Sequence, residues 1–94
     1  MQYVYFIKSL SDDFMYIGCT SDLNKRIAEH NNGLVPSTSR YAPLKLCYYE
    51  AYFDLRDAFK REHNLKHSGG AIGHLKNRIK NSLTMAMRTI PPPP

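Results

Sequence analysis

The sequence contains few cysteines and no long apolar run. Its two cysteines, Cys19 and Cys47, form neither a C-x-x-C pair nor another spacing typical of metal ligands. We therefore expect a reduced, intracellular protein. No apolar stretch approaches the roughly 20 residues that a membrane-spanning helix requires. The first residues also lead directly into an apolar run rather than a charged leader, so the cytoplasm is the predicted compartment, with no membrane association.

The chain is also short and has little acidic charge. Its 94 residues allow one domain with a modest core, and a hydrophobic fraction of 43% is ordinary for a folded protein. Thirteen lysines and arginines outnumber eight acidic residues, which gives a net charge of +5. This balance favours a polyanionic partner such as nucleic acid, although many small basic proteins have none.

Two short apolar runs joined by a polar turn open the chain. Residues 3–7 and 14–17 are rich in β-branched and aromatic side chains, and residues 9–13 between them are turn-like. The pattern predicts a β-hairpin. Pairing of the two strands would bring Tyr5 close to Tyr16, although two tyrosines are also ordinary strand residues.

A helix is predicted after the hairpin. Candidate caps at residues 20–22 precede an apolar pattern of helical spacing, and residues 31–33, Asn-Asn-Gly, are a stop signal. Arg26 and His30 are four residues apart in this helix, so they project from adjacent turns on the same side. The helix therefore offers a guanidinium and an imidazole to one region.

A loop and a third strand are predicted next. Residues 34–43 have no periodicity and contain proline, which indicates a surface loop. Arg40 and the hydroxyl residues 37–39 are candidate contacts for a phosphate backbone, although a solvated loop has the same composition. Residues 44–53 partly alternate and then become aromatic, as in a strand. The predicted fold class is α/β, a small three-stranded antiparallel sheet flanked by helices.

A second helix, capped by Asp54, carries a carboxylate in its apolar stripe. Glu62 recurs at helical spacing with apolar residues, namely Leu55, Ala58, Phe59 and Leu65. A carboxylate that faces a core is costly unless it is paired or binds a metal. Two explanations stay open, an ion pair with Arg26 and a metal site. A lone carboxylate suits Mg²⁺, which keeps much of its hydration and binds substrate phosphate.

A third helix is predicted over residues 71–82. Its buried side contains Ile72, Leu75, Ile79 and Leu83, and its exposed side includes Lys76 and Arg78, which either contact phosphate or are simply solvated. We assign residues 1–83 to one domain. Residues 84–94 form a C-terminal tail that is proline-rich at its end and is expected not to pack.

Several of these segments together resemble a known family. Residues 3–5 and 16–18, Tyr-Val-Tyr and Tyr-Ile-Gly, are ten residues apart and resemble the paired signature of the GIY-YIG nuclease superfamily. The similarity continues in Thr20, Leu23, Arg26 and His30 and in the helix segment 58–66. It spans about residues 3 to 80 and is closest to the small single-domain branch. Tyr3 departs from the signature, which usually has glycine at that position.

The resemblance implies an endonuclease that uses Mg²⁺ or Mn²⁺. Its catalytic residues would be Tyr5, Tyr16, Arg26, His30 and Glu62, with Glu62 as the metal ligand. The planar guanidinium of Arg26 suits a phosphate oxygen better than lysine does. A tyrosine base has an ordinary pKa of about 10, so whether Tyr16 or His30 accepts the proton of the attacking water stays open.

The expected partner is nucleic acid, with DNA favoured over RNA and repair or recombination as the expected setting. Arg40, Lys66, Lys76 and Arg78 are the candidate nucleic-acid contacts. A homodimer or a partner protein is expected to supply specificity, because the chain has little room outside the catalytic module. The alternatives are an inactive nucleic-acid-binding module with the same fold and a structural adaptor with a basic surface.

Overall fold

A computed structural model describes residues 1–88 and has an α/β architecture. The elements are β1 (Gln2–Ser9), β2 (Met15–Thr20), α1 (Leu23–Asn31), a short 3-10 turn (Ser39–Tyr41), β3 (Leu44–Tyr52), α2 (Leu55–His67), α3 (Gly69–Arg78) and α4 (Lys80–Arg88). The strands form one antiparallel sheet in the order β2-β1-β3. The predicted fold class is therefore confirmed. Within residues 1–88, every helix is too short or too polar to cross a bilayer.

The first two strands form the predicted hairpin. In its register Tyr5 lies opposite Gly18, and Ile7 lies opposite Tyr16. The turn is held by the side chain of Asp12, which accepts a hydrogen bond of 3.0 Å from the backbone N–H of Phe14. Tyr5 and Tyr16 are thus diagonal neighbours on one face of the sheet.

The sheet has a separate apolar cluster on each face. Val4 and Phe6 point to the face covered by α2 and α3, where Ala58, Leu65, Leu75 and Ile79 are also buried. Tyr5 and Ile7 point to the other face, which packs against α1 and the loop that follows it. This division follows from strand alternation, because successive side chains of β1 leave the sheet in opposite directions.

A β-bulge in β3 allows this strand to contribute side chains to both apolar clusters. Phe6 pairs with Tyr48, but Ile7 pairs with Leu46, so Cys47 has no partner in the register. Cys47 and Tyr48 consequently both pack on the α2 and α3 side, whereas Leu46 packs on the α1 side. The irregular alternation of the predicted third strand has its cause in this extra residue.

A cluster of hydrogen bonds joins β3 to α2. The carboxylate of Glu50 accepts two hydrogen bonds of 2.9 Å from the guanidinium of Arg61, one of 2.7 Å from the hydroxyl of Tyr48, and another from the hydroxyl of Tyr52. Burial acts to raise the pKa of Glu50, but these donors together hold that pKa below its ordinary value.

The end of α1 is fixed to β3 by one side chain. Asn31 donates to the carbonyl of Leu44 at 3.0 Å and accepts from the N–H of Leu44 at 2.7 Å. Gly33 follows with a φ of +73°, a left-handed conformation that glycine adopts without strain. The predicted stop signal at residues 31–33 is confirmed.

Three details differ from the sequence predictions. The predicted helix over residues 71–82 is instead two helices, because the chain leaves helical geometry at Ile79, where φ is −110° and ψ is 21°. In α2, Leu55 and Phe59 are exposed rather than part of the core. The loop 34–43 is not entirely a surface loop, since it buries Val35 and Thr38.

The predicted end of the domain at residue 83 falls inside α4. This helix packs against β3 and carries Leu83, which contacts the cluster on the α2 and α3 side. The predicted proline-rich end of the tail lies outside the described residues. Where the domain ends stays a prediction.

Candidate active site

Tyr5 occupies the centre of the candidate site and depends on Gly18. Its side chain is buried, with 1% of its surface exposed, and its ring and hydroxyl lie directly above Gly18 on β2. A Cβ atom at residue 18 would overlap the ring and hydroxyl of Tyr5. The glycine of the second signature therefore provides the space for the tyrosine of the first.

His30 lies between Tyr5 and Thr38 in a buried chain of hydrogen bonds. Nε2 of His30 is 2.8 Å from the hydroxyl of Tyr5, and Nδ1 is 2.7 Å from Oγ1 of Thr38. Thr38 in turn donates to the carbonyl of Val35 at 3.4 Å. His30 and Thr38 are both 0% exposed. The chain joins β1, α1 and the loop after α1.

Tyr16 is the more accessible of the two tyrosines. It is partly exposed, its ring centroid is 6.4 Å from that of Tyr5, and it is 5.1 Å from that of His30. The ammonium group of Lys66 lies 5.2 Å from the Tyr16 ring centroid, within cation–π range. Tyr16 thus connects the buried chain to an open groove that Lys66 also lines.

Arg26 reaches the same region from α1. Its guanidinium lies near enough to Tyr5 to act on the pKa of that hydroxyl, and it donates to Glu29 at 3.3 Å. The local structure supports this placement: the side chain of Asp22 accepts from the N–H of Lys25 at 3.1 Å and caps the helix. The predicted spacing of Arg26 and His30 does bring both side chains to one place, the Tyr5 hydroxyl.

Glu62 faces the cluster from α2. Its side chain is 25% exposed and lies 3.8 Å from the ammonium group of Lys66, one helical turn further on. Its charge acts to raise the pKa of both Tyr5 and Cys19, so the carboxylate is oriented toward β1 and β2. Glu62 does form an ion pair, but its partner is Lys66 rather than Arg26, which pairs with Glu29.

Burial is the largest influence on the pKa values of Tyr5 and His30. It raises the pKa of Tyr5 to about 12, against an opposing effect of Arg26, so this hydroxyl is neutral near pH 7. Burial also lowers the pKa of His30, and the positive charge of Arg26 lowers it further. Tyr5 and His30 are therefore both uncharged in the resting site.

The four predicted nucleic-acid contacts are dispersed. Lys66 lies in the cluster, beside Glu62 and Tyr16. Arg40 is exposed in the loop after α1, with its guanidinium 5.2 Å from the ring centroid of Tyr41. Lys76 and Arg78 belong to α3, and the charge of Arg78 acts on Tyr48 of β3, toward the sheet edge opposite β2. In the described contacts of residues 1–88, only Lys66 of the four adjoins a tyrosine of the candidate site, Tyr16.

Thr38 is the buried partner that sequence reasoning missed. Residues 37–39 are all hydroxyl residues, and nothing in their spacing distinguishes the middle one. Its two neighbours are exposed, and only the fold shows that Thr38 points inward to His30. The hydroxyl run was interpreted as a possible phosphate contact, whereas Thr38 is 0% exposed and is not available for that role.

Comparison with known proteins identifies the family. Residues 1–77 match the family model described as the GIY-YIG catalytic domain, which is most of the 94-residue chain. The chain belongs to the GIY-YIG family. The resemblance seen in the paired signature is thereby confirmed, and the tyrosines, Arg26, His30 and Glu62 all lie within the matched range.

Similar bacterial and archaeal proteins share most of this GIY-YIG domain. A UPF0213 protein of Clostridium perfringens is 42% identical over 67 residues, which cover 70% of this chain and 71% of the relative. A UPF0213 protein of Staphylococcus epidermidis is 37% identical over 65 residues, 68% of this chain and 78% of the relative. One from Haloquadratum walsbyi is 35% identical over 65 residues, 68% and 72% of the two chains. No solved structure matches significantly.

The departure at Tyr3 does not disturb the GIY-YIG sheet. Tyr3 pairs with Thr20 of β2 and with Ala51 of β3 in an uninterrupted register. Its ring packs edge-on against Tyr49, with centroids 5.8 Å apart. A large side chain is therefore accommodated where the signature usually has glycine, because that face of the sheet is open at this end.

Proposed function

We propose that this GIY-YIG domain is a metal-dependent endonuclease that hydrolyses phosphodiester bonds of nucleic acid, with DNA as the expected substrate. One observation carries the proposal. The ring centroids of Tyr5, Tyr16 and His30 lie within 6.4 Å of one another, and the guanidinium of Arg26 lowers the pKa of Tyr5 from nearby, against the larger effect of burial. A structural adaptor would have no need for such a cluster of acid–base side chains beside a guanidinium.

Phosphodiester hydrolysis needs a positioned water and donors for the charge that develops on the phosphate oxygens. Arg26 suits the second task. Its side chain is 36% exposed, and its planar array of donors can bind a nonbridging oxygen while its helix holds it beside Tyr5. A groove lined by Thr20, Lys25, Arg26 and Glu29 opens at this place. We place the scissile phosphate at the mouth of that groove.

Tyr16 is the residue assigned to the attacking water. It is partly exposed, whereas Tyr5 is buried, so water reaches the Tyr16 hydroxyl more readily. Tyr5 supports the site from its buried side, through its hydrogen bond with His30 and its proximity to Arg26. Whether the proton of the water ends on Tyr16 or on His30 decides which residue is the general base.

The residues present fit a hydrated divalent ion on Glu62. Among residues 1–88 no three metal-binding side chains lie together, so the remaining ligands would be water and substrate phosphate. Mg²⁺ and Mn²⁺ accept such a set, and the 25% exposure of Glu62 leaves it open to solvent. When bound, such an ion polarises the phosphate and stabilises the leaving oxygen.

The basic residues support binding of the backbone on either side of the cleavage point. Lys66 adjoins the cluster, and the net charge of +5 favours association with a polyanion. Arg40, Lys76 and Arg78 extend this charge over other faces of the domain. We propose repair or recombination as the setting, and a second copy or a partner protein as the source of specificity.

Cleavage of a labelled panel tests the proposal. Single-stranded, duplex and branched DNA and RNA would be incubated with purified protein in Mg²⁺, Mn²⁺ or EDTA. We expect metal-dependent cutting of DNA that Glu62→Gln and Tyr16→Phe each reduce by about 10²-fold or more. Matched controls are Asp57→Asn on α2 and Tyr49→Phe on β3, both exposed residues outside the cluster, which should cut normally.

Two results would count against the proposal. Cutting that survives both substitutions would remove the assigned residues from the chemistry. Salt-dependent binding of DNA without any cutting, in all metals, would favour the inactive nucleic-acid-binding module instead. Preference for branched over linear duplex would support the proposed setting in repair or recombination.

A further inference from the structure

The protonation of His30 follows from the donors and acceptors around it. The guanidinium of Arg26 acts on the pKa of Tyr5 and has only donors, so it cannot take the hydrogen of the Tyr5 hydroxyl, which needs another acceptor. Nε2 of His30 is at 2.8 Å and can accept it only when it carries no proton. Every buried side-chain polar atom in residues 1–88 has a partner, which agrees with this arrangement.

The other end of the chain leads to the same conclusion. Thr38 has a single hydroxyl hydrogen, and the carbonyl of Val35, 3.4 Å from Oγ1, can receive it. The Thr38 oxygen can then accept a hydrogen bond from Nδ1 of His30, which is 2.7 Å away. Because a carbonyl can only accept, the contact with Val35 favours this direction of the chain. His30 then carries its hydrogen on Nδ1.

We propose that Thr38 is a positioning residue that holds His30 as the Nδ1–H tautomer, with the basic nitrogen Nε2 directed at Tyr5. The tautomer itself is independent of the enzymatic activity, whereas its effect on cleavage rests on the proposed function. Thr38 is fully buried and touches the imidazole rather than the substrate. It acts on the reaction only through His30.

The tautomer specifies how a proton can enter His30. Nε2 is hydrogen-bonded to the Tyr5 hydroxyl, so a proton that His30 takes up is the one that Tyr5 releases. The attacking water, held at the neighbouring Tyr16, gives a proton back to Tyr5 as its oxygen forms the new P–O bond. The P–O bond to the leaving oxygen breaks in the same step, and that oxygen takes its proton from solvent. His30 becomes an imidazolium whose Nδ1–H still donates to Thr38. The opposite tautomer has its hydrogen on Nε2 and cannot accept in this direction.

The chain offers a matched set of variants. Thr38→Val has a similar shape but no hydroxyl, and Thr38→Ser keeps the hydroxyl. Ser39→Ala removes a hydroxyl from the next residue, whose Oγ donates to the carbonyl of Pro36 at 3.3 Å and does not reach His30. A change that appears in Thr38→Val, recovers in Thr38→Ser and is absent in Ser39→Ala is specific to the Thr38 hydroxyl.

The first measurement is the ¹⁵N NMR spectrum of the imidazole in the full chain. We expect a protonated Nδ1 and an unprotonated Nε2 for His30 in the wild type, in Thr38→Ser and in Ser39→Ala. Thr38→Val should show a mixture of tautomers or the Nε2–H form, since Nδ1–H then lacks its acceptor. An Nε2–H signal in the wild type, or an unchanged pattern in Thr38→Val, would overturn the proposal. The wild-type spectrum tests the proposed tautomer of His30 even if Thr38→Val does not fold.

The second measurement is the steady-state kinetics of cleavage, in which kcat and KM are determined separately. We expect Thr38→Val to lower kcat by about 10- to 100-fold with little change in KM, as for other residues that orient a reactive histidine. Thr38→Ser should restore most of the rate. A raised KM at unchanged kcat would contradict the positioning role. If the wild type does not cut at all, the proposed function fails, while the NMR result still decides the tautomer.

Discussion

Tyr5 and His30 are 25 residues apart in sequence, and the hydroxyl of one lies 2.8 Å from Nε2 of the other in the buried centre of the molecule. One side chain comes from the central strand and the other from the last turn of α1. The contact therefore exists only when hairpin, helix and loop have all folded. It makes the chemistry of the candidate site sensitive to substitutions in each of these elements.

Gly18→Ala should damage both stability and activity. The added methyl group would overlap Tyr5, which has no free space to move into, and overpacking of this kind costs about 1–3 kcal/mol. We expect that loss in urea unfolding, together with at least a tenfold loss of cleavage. Gly73→Ala on α3 is the control, since its Cβ meets open space and alanine favours helix by about 0.5–1 kcal/mol. Equal effects at both glycines would contradict the close approach.

The stability of the protein should fall in mild acid because of His30. Its pKa is lowered in the fold, so between its folded pKa and about 6.5 the unfolded chain binds a proton that the folded chain does not. The full stability is present above about pH 6.5, declines as the pH falls from there toward the folded pKa, and levels off below the folded pKa. The nearby charges of Arg26 and Glu29 act in opposite directions, and burial is the larger effect.

Urea unfolding between about pH 7.5 and 5 measures this decline. His30→Gln should be less stable at neutral pH but should show a flatter dependence on pH in that window. His74→Asn, a change at an exposed histidine of α3, should retain the wild-type slope. A wild-type slope in His30→Gln would assign the decline to another group. Glu50, whose pKa is lowered, contributes a separate loss that begins only below its ordinary pKa of 4.5.

Glu50→Gln should destabilise the fold without altering the chemistry. The substitution removes the charge that holds Arg61 and the Tyr48 and Tyr52 hydroxyls, and Arg61 is 30% exposed, which moderates the cost to about 1–3 kcal/mol. Denaturant unfolding gives the value. Arg56→Gln removes an exposed partner of Asp54 and should cost less than about 0.5 kcal/mol. A kcat that falls in folded Glu50→Gln would connect this network to the site.

Lys66→Met should weaken binding of the substrate more than it slows the chemistry. Methionine keeps the apolar stem but removes the charge that lies 3.8 Å from Glu62 and over the Tyr16 ring. If Lys66 contacts a phosphate, the dependence of log K on log salt for duplex DNA should lose about 0.9 of its slope. Lys60→Met, on the exposed side of α2, is the matched control. An unchanged slope would leave Lys66 as a partner of Glu62 and Tyr16 alone.

Much of the fold follows directly from sequence pattern. The hairpin, the third strand, α1 with its glycine stop and the helix after Asp54 all have local signals of propensity, alternation or capping. The break between α3 and α4 has no such local signal in the sequence. Ile72, Leu75, Ile79 and Leu83 continue a helical period across it, and only tertiary packing of α4 against β3 separates the two helices.

The candidate site was predictable to a similar extent. The paired signature identifies the tyrosines, and helical spacing brings Arg26 and His30 together, because these are local relations. Glu62 was placed within an apolar stripe, but Leu55 and Phe59 of that stripe are exposed and Glu62 lies at its margin. Thr38 could not be identified, since its role depends on a loop without periodicity that folds back against α1.

The unpaired Cys47 shifts the alternation of side chains within β3 by one residue. Before Cys47, the side chains of Leu44 and Leu46 lie on the face that packs against α1. After Cys47, Tyr49 lies on that face, opposite Tyr5 in the register. If Cys47 were paired in a regular strand without the bulge, Leu44 and Leu46 would exchange faces with their neighbours and would no longer pack beside Tyr5 and Ile7. This single residue, which takes no part in the proposed reaction, thus allows the two halves of β3 to pack side chains into both apolar clusters.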